Sequence, residues 1–132
     1  MITVFLDRDT LSRQTRLRAP RFPHELACYG RTSASEVASR ISDAEVVIAN
    51  KVRSDAEVIA QAPKLRLVAV AATGTDNVNV EVCRTRGVVV SNVRNYAART
   101  VTEHTFALIF RNLAPGIAFP VLVFQDDRDA GK

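Results

Sequence analysis

Cysteine, methionine, lysine and glycine are sparse in these 132 residues and tryptophan is absent, and several of these shortages exclude a class of protein. Two cysteines, Cys28 and Cys83, make no disulfide framework and supply too few ligands for a structural zinc site. Such usage fits a reducing, cytoplasmic compartment. No apolar run approaches the roughly 18 residues of a membrane span, so no membrane partner is expected. The start is no secretory leader, because apolar Met1–Leu6 runs straight into Asp7, Arg8 and Asp9. The five glycines (Gly30, Gly74, Gly87, Gly116 and Gly131) never form Gly-x-Gly. Both the dinucleotide fingerprint and the phosphate-cradling P-loop are therefore missing from this chain.

What is present suits one domain with a real core: 47% of the residues are hydrophobic and 24% charged. The net charge of +4 comes from 15 arginines against 3 lysines. Arg8, Arg13, Arg16, Arg18 and Arg21 cluster near the start, where a polyanion could meet them. The cluster has no interleaved aromatics and is broken by Leu11, Leu17 and Pro20, so it reads as a solvated loop and no nucleic acid partner is expected.

Short β-branched runs alternate with helical patterns. Ile2–Leu6, Glu25–Tyr29, Glu45–Ala49, Leu65–Ala72 and Val88–Val90 read as five strands. Arg8–Pro23 is a loop with room for one helical turn. Capping boxes at Ser33–Glu36, Ser54–Glu57 and Thr100–Glu103 open three helices, the second stopped by Pro63 and the third running to Phe110. Asn79 caps a further helix to about Arg86, with Gly87 as its stop. Near-continuous apolar strands argue for a parallel sheet covered on both faces. Right-handed crossovers then give an α/β, flavodoxin-like, doubly wound five-stranded sheet in the order 2-1-3-4-5. Ligands in such sheets bind beyond the carboxyl ends of the strands, here the loops after residues 6, 49, 72 and 91. Past Arg111 the pattern decays through Ala114-Pro115-Gly116 into an apolar run, Ile117–Phe124, and a polar end.

Several residues carry possible chemistry. Asp7 and Asp9 follow the first strand, where paired carboxylates can hold Mg²⁺ in a receiver-like phosphoacceptor domain. That reading needs an aspartate after the third strand and a lysine after the fifth. Asn50 and Ser91-Asn92-Val93-Arg94 stand there instead, which leaves Asp7 and Asp9 as plain loop acids. Glu103 and His104 are neighbours, but adjacent helical residues point about 100° apart, so helix capping and a surface contact fit them better than an acid–base dyad. His24 reads as a loop residue, and both cysteines as buried, inert thiols. The loop Thr73-Gly74-Thr75-Asp76 offers free amides and close backbone approach to a small carboxylate; an ordinary strand-to-helix turn would look the same.

Three segments in order carry a likeness: Leu67–Val78 (LVAVAATGTDNV), Arg86–Asn92 (RGVVVSN) and Val101–Leu108 (VTEHTFAL). From about Thr3 to Leu113 the chain resembles the D-isomer-specific 2-hydroxyacid dehydrogenases, in particular the glycerate dehydrogenase/hydroxypyruvate reductase group. The resemblance implies a flavodoxin-like substrate domain interrupted by an NAD-binding Rossmann domain, with the substrate between them. Residues 1–100 would be the first part of the substrate domain, 101–113 the start of the helix crossing to the cofactor domain, and 114–132 a divergent tail. Lys51, Val52, Thr73, Gly74, Thr75 and Asp76 would face the substrate carboxylate, chiefly through backbone amides, and Val101 would lie near the nicotinamide. Glu103 and His104 would belong to a hinge motif. The family's glycine fingerprint and its catalytic Arg, acid and His have no counterparts here, so the resemblance implies a partial enzyme, inactive alone. NAD(H) or NADP(H) would serve the complete enzyme and not bind this chain. A missing closing helix would bare apolar surface and favour a partner chain or self-association into a homo-oligomer. A non-enzymatic interaction or receiver-like module on the same fold is the competing class.

Overall fold

A computed structural model describes residues 1–95 and 98–113. Residues 1–94 form one compact unit and a second begins at Asn95. The first unit holds β1 (Ile2–Phe5), β2 (Glu25–Cys28), α1 (Ala34–Ile41), β3 (Val46–Ala49), α2 (Ala56–Ala60), β4 (Leu67–Val70), α3 (Val80–Thr85) and β5 (Val89–Asn92), with a short 3-10 turn at Arg8–Thr10. All strand pairs are parallel, and the order is β2-β1-β3-β4-β5, as the sequence predicts.

Pleating divides the strand residues between two faces. Val4 and Leu6, Val47 and Ala49, and Val68 and Val70 pack with Val37 and Ile41 of α1, Ile59 of α2 and Cys83 of α3 into one core. The opposite face carries Thr3, Phe5, Val46, Ile48, Leu67, Ala69 and Val89. A right-handed crossover from β1 to β2 runs in the opposite direction to those from β2 onward, so it must cross on the other face. That crossover is the irregular 6–24 segment. It shields the β1 side through Leu11, Leu17, Pro20 and His24 around a recess of about 230 Å³. Arg8 holds the segment in shape by donating to the carbonyls of Leu11, Ser12 and Thr15 at 3.4, 3.3 and 2.7 Å. Towards β5 the cover is thinner than the apolar strands imply: a groove of about 720 Å³ is bordered by Phe22, Leu67 and Ala69, and Val89 is 61% exposed.

Caps set the helix ends. Glu36 takes both the backbone N–H and the hydroxyl of Ser33, at 2.8 and 2.6 Å, and holds Arg40 one turn on at 2.6 Å. Arg40 also stacks over Tyr29, 4.0 Å from the ring centre. In α2 the cap is Asp55, which accepts the Val58 N–H at 3.1 Å; Ser54, the expected cap, lies one residue outside, bridged to Val78. The Asn79 side chain caps α3 by accepting the Val82 N–H at 3.0 Å. That helix closes with the Gly87 N–H on Arg84 O, the Val88 N–H on Cys83 O, and Gly87 at φ 68°. Arg86 binds the carbonyls of Ile59 and Ala62, joining α3 to the end of α2.

The second unit contributes α4 (Ala98–Leu113). It is already helical at Thr100, so the expected capping box does not form there. Glu103 instead pairs with Arg99 at 2.7 Å, and Phe106 stacks on Phe110 at 6.3 Å. The predicted tail, from Ala114 onward, lies outside the described residues. No helix among the described residues is long and apolar enough to cross a membrane.

Two outcomes follow from the caps. Gly87→Ala forces a Cβ into the left-handed region with no packing gain, and thermal unfolding should show a loss of about 1–2 kcal/mol. The Ser33 hydroxyl and amide, helped by Arg40, hold Glu36 below the usual carboxylate range. Its contribution is therefore complete above the ordinary glutamate pKa and fades as pH falls through the lowered one. Denaturation profiles of wild type and Glu36→Gln should differ at neutral pH and converge in acid.

Candidate functional site

Parallel strands deliver their carboxyl ends to one edge of the sheet, and there the loops after β1, β3 and β4 meet. Asp7, just beyond β1, is only 3% exposed. Its Oδ1 accepts the Asn50 N–H at 2.9 Å, and its Oδ2 accepts those of Asn50, Lys51 and Val52 at 3.0, 2.6 and 3.1 Å. Asp7 and Asp9 thus do not form a carboxylate pair: Asp9 is exposed and lies 3.9 Å from Arg31 Nε. No group of three or more metal-binding side chains occurs among the described residues.

Of the candidate carboxylate contacts, Lys51 and Val52 follow β3 and Thr73–Asp76 follow β4. The structure brings the two loops together. Asn77 Nδ2 donates to the carbonyls of Asn50 and Val52 at 3.4 and 3.2 Å, while the Ser54 N–H reaches Asn77 O at 2.8 Å and the Asn79 N–H reaches Ser54 O at 3.0 Å. On the far side, Asn92 Nδ2 donates to Thr73 O at 2.6 Å.

The amides of the two loops are not equivalent. Those of Lys51 and Val52, expected to face a substrate, are already engaged by Asp7, so the exposed Lys51 side chain is what this loop offers an anion. The N–H groups of Gly74, Thr75 and Asp76 have no protein acceptor among the described residues. Asp76 folds back over Gly74, where a Cβ would come within 2.7 Å of its Oδ1 and turn the exposed Asp76 side chain aside. Val101 stands on α4 in the second unit, 60% exposed.

Sequence reasoning passed over Asp7 and Asn77 as site residues. An acid directly behind a buried central strand is the one signal that marked Asp7, since it must find donors on a neighbouring strand end. Nothing local marks Asn77. Both thiols were expected to be buried, yet Cys28 is exposed because β2 is an edge strand. Cys83 is buried, and that burial pushes its thiol pKa up against a smaller opposing pull from Arg86, consistent with an inert group.

The helix starts in residues 1–94 fit a dinucleotide's phosphates poorly. The starts of α2 and α3 each give one amide to a cap side chain, and carboxylates that repel phosphate stand at two helix starts, Asp55 at α2 and Glu36 at α1.

The sequence profile of the D-isomer-specific 2-hydroxyacid dehydrogenase catalytic domain matches residues 4–118, and the chain belongs to that family. It is 44% identical over 108 residues to the glycerate dehydrogenase of Methylorubrum extorquens, an alignment covering 81% of this chain and 34% of that protein. Over 88 residues it is 38% identical to the hydroxypyruvate reductase of Blautia hydrogenotrophica, covering 64% of this chain and 27% of the relative. The fold superposes on the NAD⁺-bound 3-phosphoglycerate dehydrogenase of Entamoeba histolytica with a TM-score of 0.67 at 21% identity, over 84% of this chain and 38% of the other. The chain thus spans about a third of the length of the relatives it matches.

The Ser54 hydroxyl is the one buried side-chain polar atom without a partner among the described residues, and the residue is 2% exposed. Ser54→Ala removes an unsatisfied group while keeping the backbone bonds to Asn77 and Asn79. Chemical denaturation should show unchanged stability or a gain of up to about 1 kcal/mol.

Proposed function

We propose that this chain is the substrate-carboxylate-binding part of a D-2-hydroxyacid dehydrogenase acting on a small 2-hydroxy or 2-oxo acid, with glycerate and hydroxypyruvate, the substrates in the relatives' names, as the leading pair. The observation that carries this reading is the unoccupied run of N–H groups at Gly74, Thr75 and Asp76, stitched beside the Lys51 loop at the carboxyl edge of the sheet. Unpaired backbone amides and the exposed Lys51 ammonium suit a carboxylate, which accepts several donors at once, when the exposed Asp76 side chain swings away from Gly74.

NAD(H) or NADP(H) would supply the hydride chemistry in the complete enzyme. By this reading residues 1–94 do not bind it, and Val101 is the position in this chain that the family likeness directs toward the nicotinamide. The chain's own work is then to hold and orient the acid. Because its amide donors are fixed before the ligand arrives, little ordering entropy is lost on binding.

The test is a ¹⁵N NMR titration of the chain with hydroxypyruvate and glyoxylate, with glyceraldehyde as a control lacking the carboxylate. The amide signals of Gly74, Thr75 and Asp76 should shift with the acids and stay in place with the control; unmoved signals would refute the assignment. In parallel, NADH absorbance with the same acids should not fall. Measurable turnover would mean that the chain binds the cofactor without a glycine loop, and the reading of it as a partial enzyme would fall.

A further inference from the structure

We infer that Asp7 is the positioning residue of the candidate carboxylate site, fixing the Asn50–Val52 loop from its N–H side while Asn77 fixes it from its carbonyl side. The two ligand-facing loops are thereby presented as one piece. This rests on the carboxylate reading above.

A peptide segment held only through its amides can still tilt about that attachment, and one held only through its carbonyls can do the same. Here both sides are held. The Asp7 carboxylate collects three successive N–H groups, while the Asn77 carboxamide donates to two of the carbonyls in the same stretch. Asn77 is also continuous with the free amides, one residue beyond Asp76. A shift of the Lys51 loop is therefore passed on to Asn77 and from there to Asp76. Asn50 adds a third attachment: its Nδ2 donates to Thr10 Oγ1 at 3.0 Å, and that hydroxyl donates to the Asp7 carbonyl at 2.7 Å.

Asp7 itself offers nothing to a ligand. It is buried, and its oxygens already face donors. Its influence on an incoming carboxylate must run through the loops it holds. The negative charge is what a neutral isostere lacks. An asparagine with its oxygen in the Oδ2 position loses the charge behind all three bonds and turns an NH₂ group toward the Asn50 N–H, so it weakens the grip.

The experiment compares wild type, Asp7→Asn and Asn77→Ala by ¹⁵N NMR titration with oxalate, together with amide hydrogen exchange. Asp43→Asn serves as the control for lost charge: Asp43 pairs with Lys64 at 2.8 Å before β3, at the opposite end of the strands. In Asp7→Asn and Asn77→Ala, oxalate affinity should fall at least tenfold. Exchange should quicken at Lys51 and Val52, whose amides Asp7 holds, the ligand-free amide signals of Gly74–Asp76 should shift, and Asp43→Asn should match wild type. A merely structural Asp7 would lower the melting temperature and leave the affinity of the folded protein unchanged. Wild-type affinity in folded Asp7→Asn overturns the role of Asp7 and leaves the carboxylate reading standing. If Asp7→Asn does not fold, wild-type affinity in Asn77→Ala overturns the proposal in its place. A wild-type chain that gives no oxalate response overturns the carboxylate reading, and the ligand role of Asp7 with it.

Discussion

A carboxylate taken out of water must recover, from the protein, the hydration it surrenders; left alone it would cost several kcal/mol. Asp7 recovers it from the amides of Asn50, Lys51 and Val52, each a charge-assisted bond of about 1.5–3 kcal/mol. The exchange is mutual. Those amides lie just past the last ladder bonds of β3, where a loop would otherwise leave them to water. One side chain thus ends a strand, shapes the loop behind it and joins the exits of β1 and β3. Much of the carboxyl edge of the sheet is arranged around that contact.

The alternation of strands and helices was legible because each signal was local. The short strand runs, an Asn79 cap and a Gly87 stop act within a few residues of themselves, and the strand order then follows from handed crossovers. Where reading failed, the deciding partner was distant or the local signals competed. Ser54 and Asp55 both suit a cap; the pairing of Ser54 with Val78, 24 positions away, leaves the cap to Asp55. At Thr100 the capping pattern lost to a helix already running from Ala98, and Glu103 found Arg99 instead. Cys28 is exposed because strand order put β2 at the edge, a fact that its own sequence does not contain.

The candidate site divides the same way. Thr73–Asp76 stood out through glycine and turn chemistry, and the amides of Gly74, Thr75 and Asp76 have no acceptor among the described residues. The Lys51 loop entered by family likeness, and its amides turned out to be engaged from below by Asp7. Two loops that look interchangeable in sequence therefore differ in kind: one offers backbone donors, the other a single flexible ammonium. Family membership constrains the fold strongly and the ligand less, because the chain corresponds to about a third of its relatives' length.

The place of β1 in the sheet bears on how the chain is made. The strand nearest the N-terminus sits between β2 and β3, so it leaves the ribosome before either neighbour exists. Pairing on its first side waits for Glu25–Cys28 and on its second for Val46–Ala49. After that the sheet widens in one direction only, β4 and then β5, in step with synthesis. The Asp7 contact becomes possible at the moment residue 52 emerges, so the loop can be anchored to β1 while β4 is still unmade.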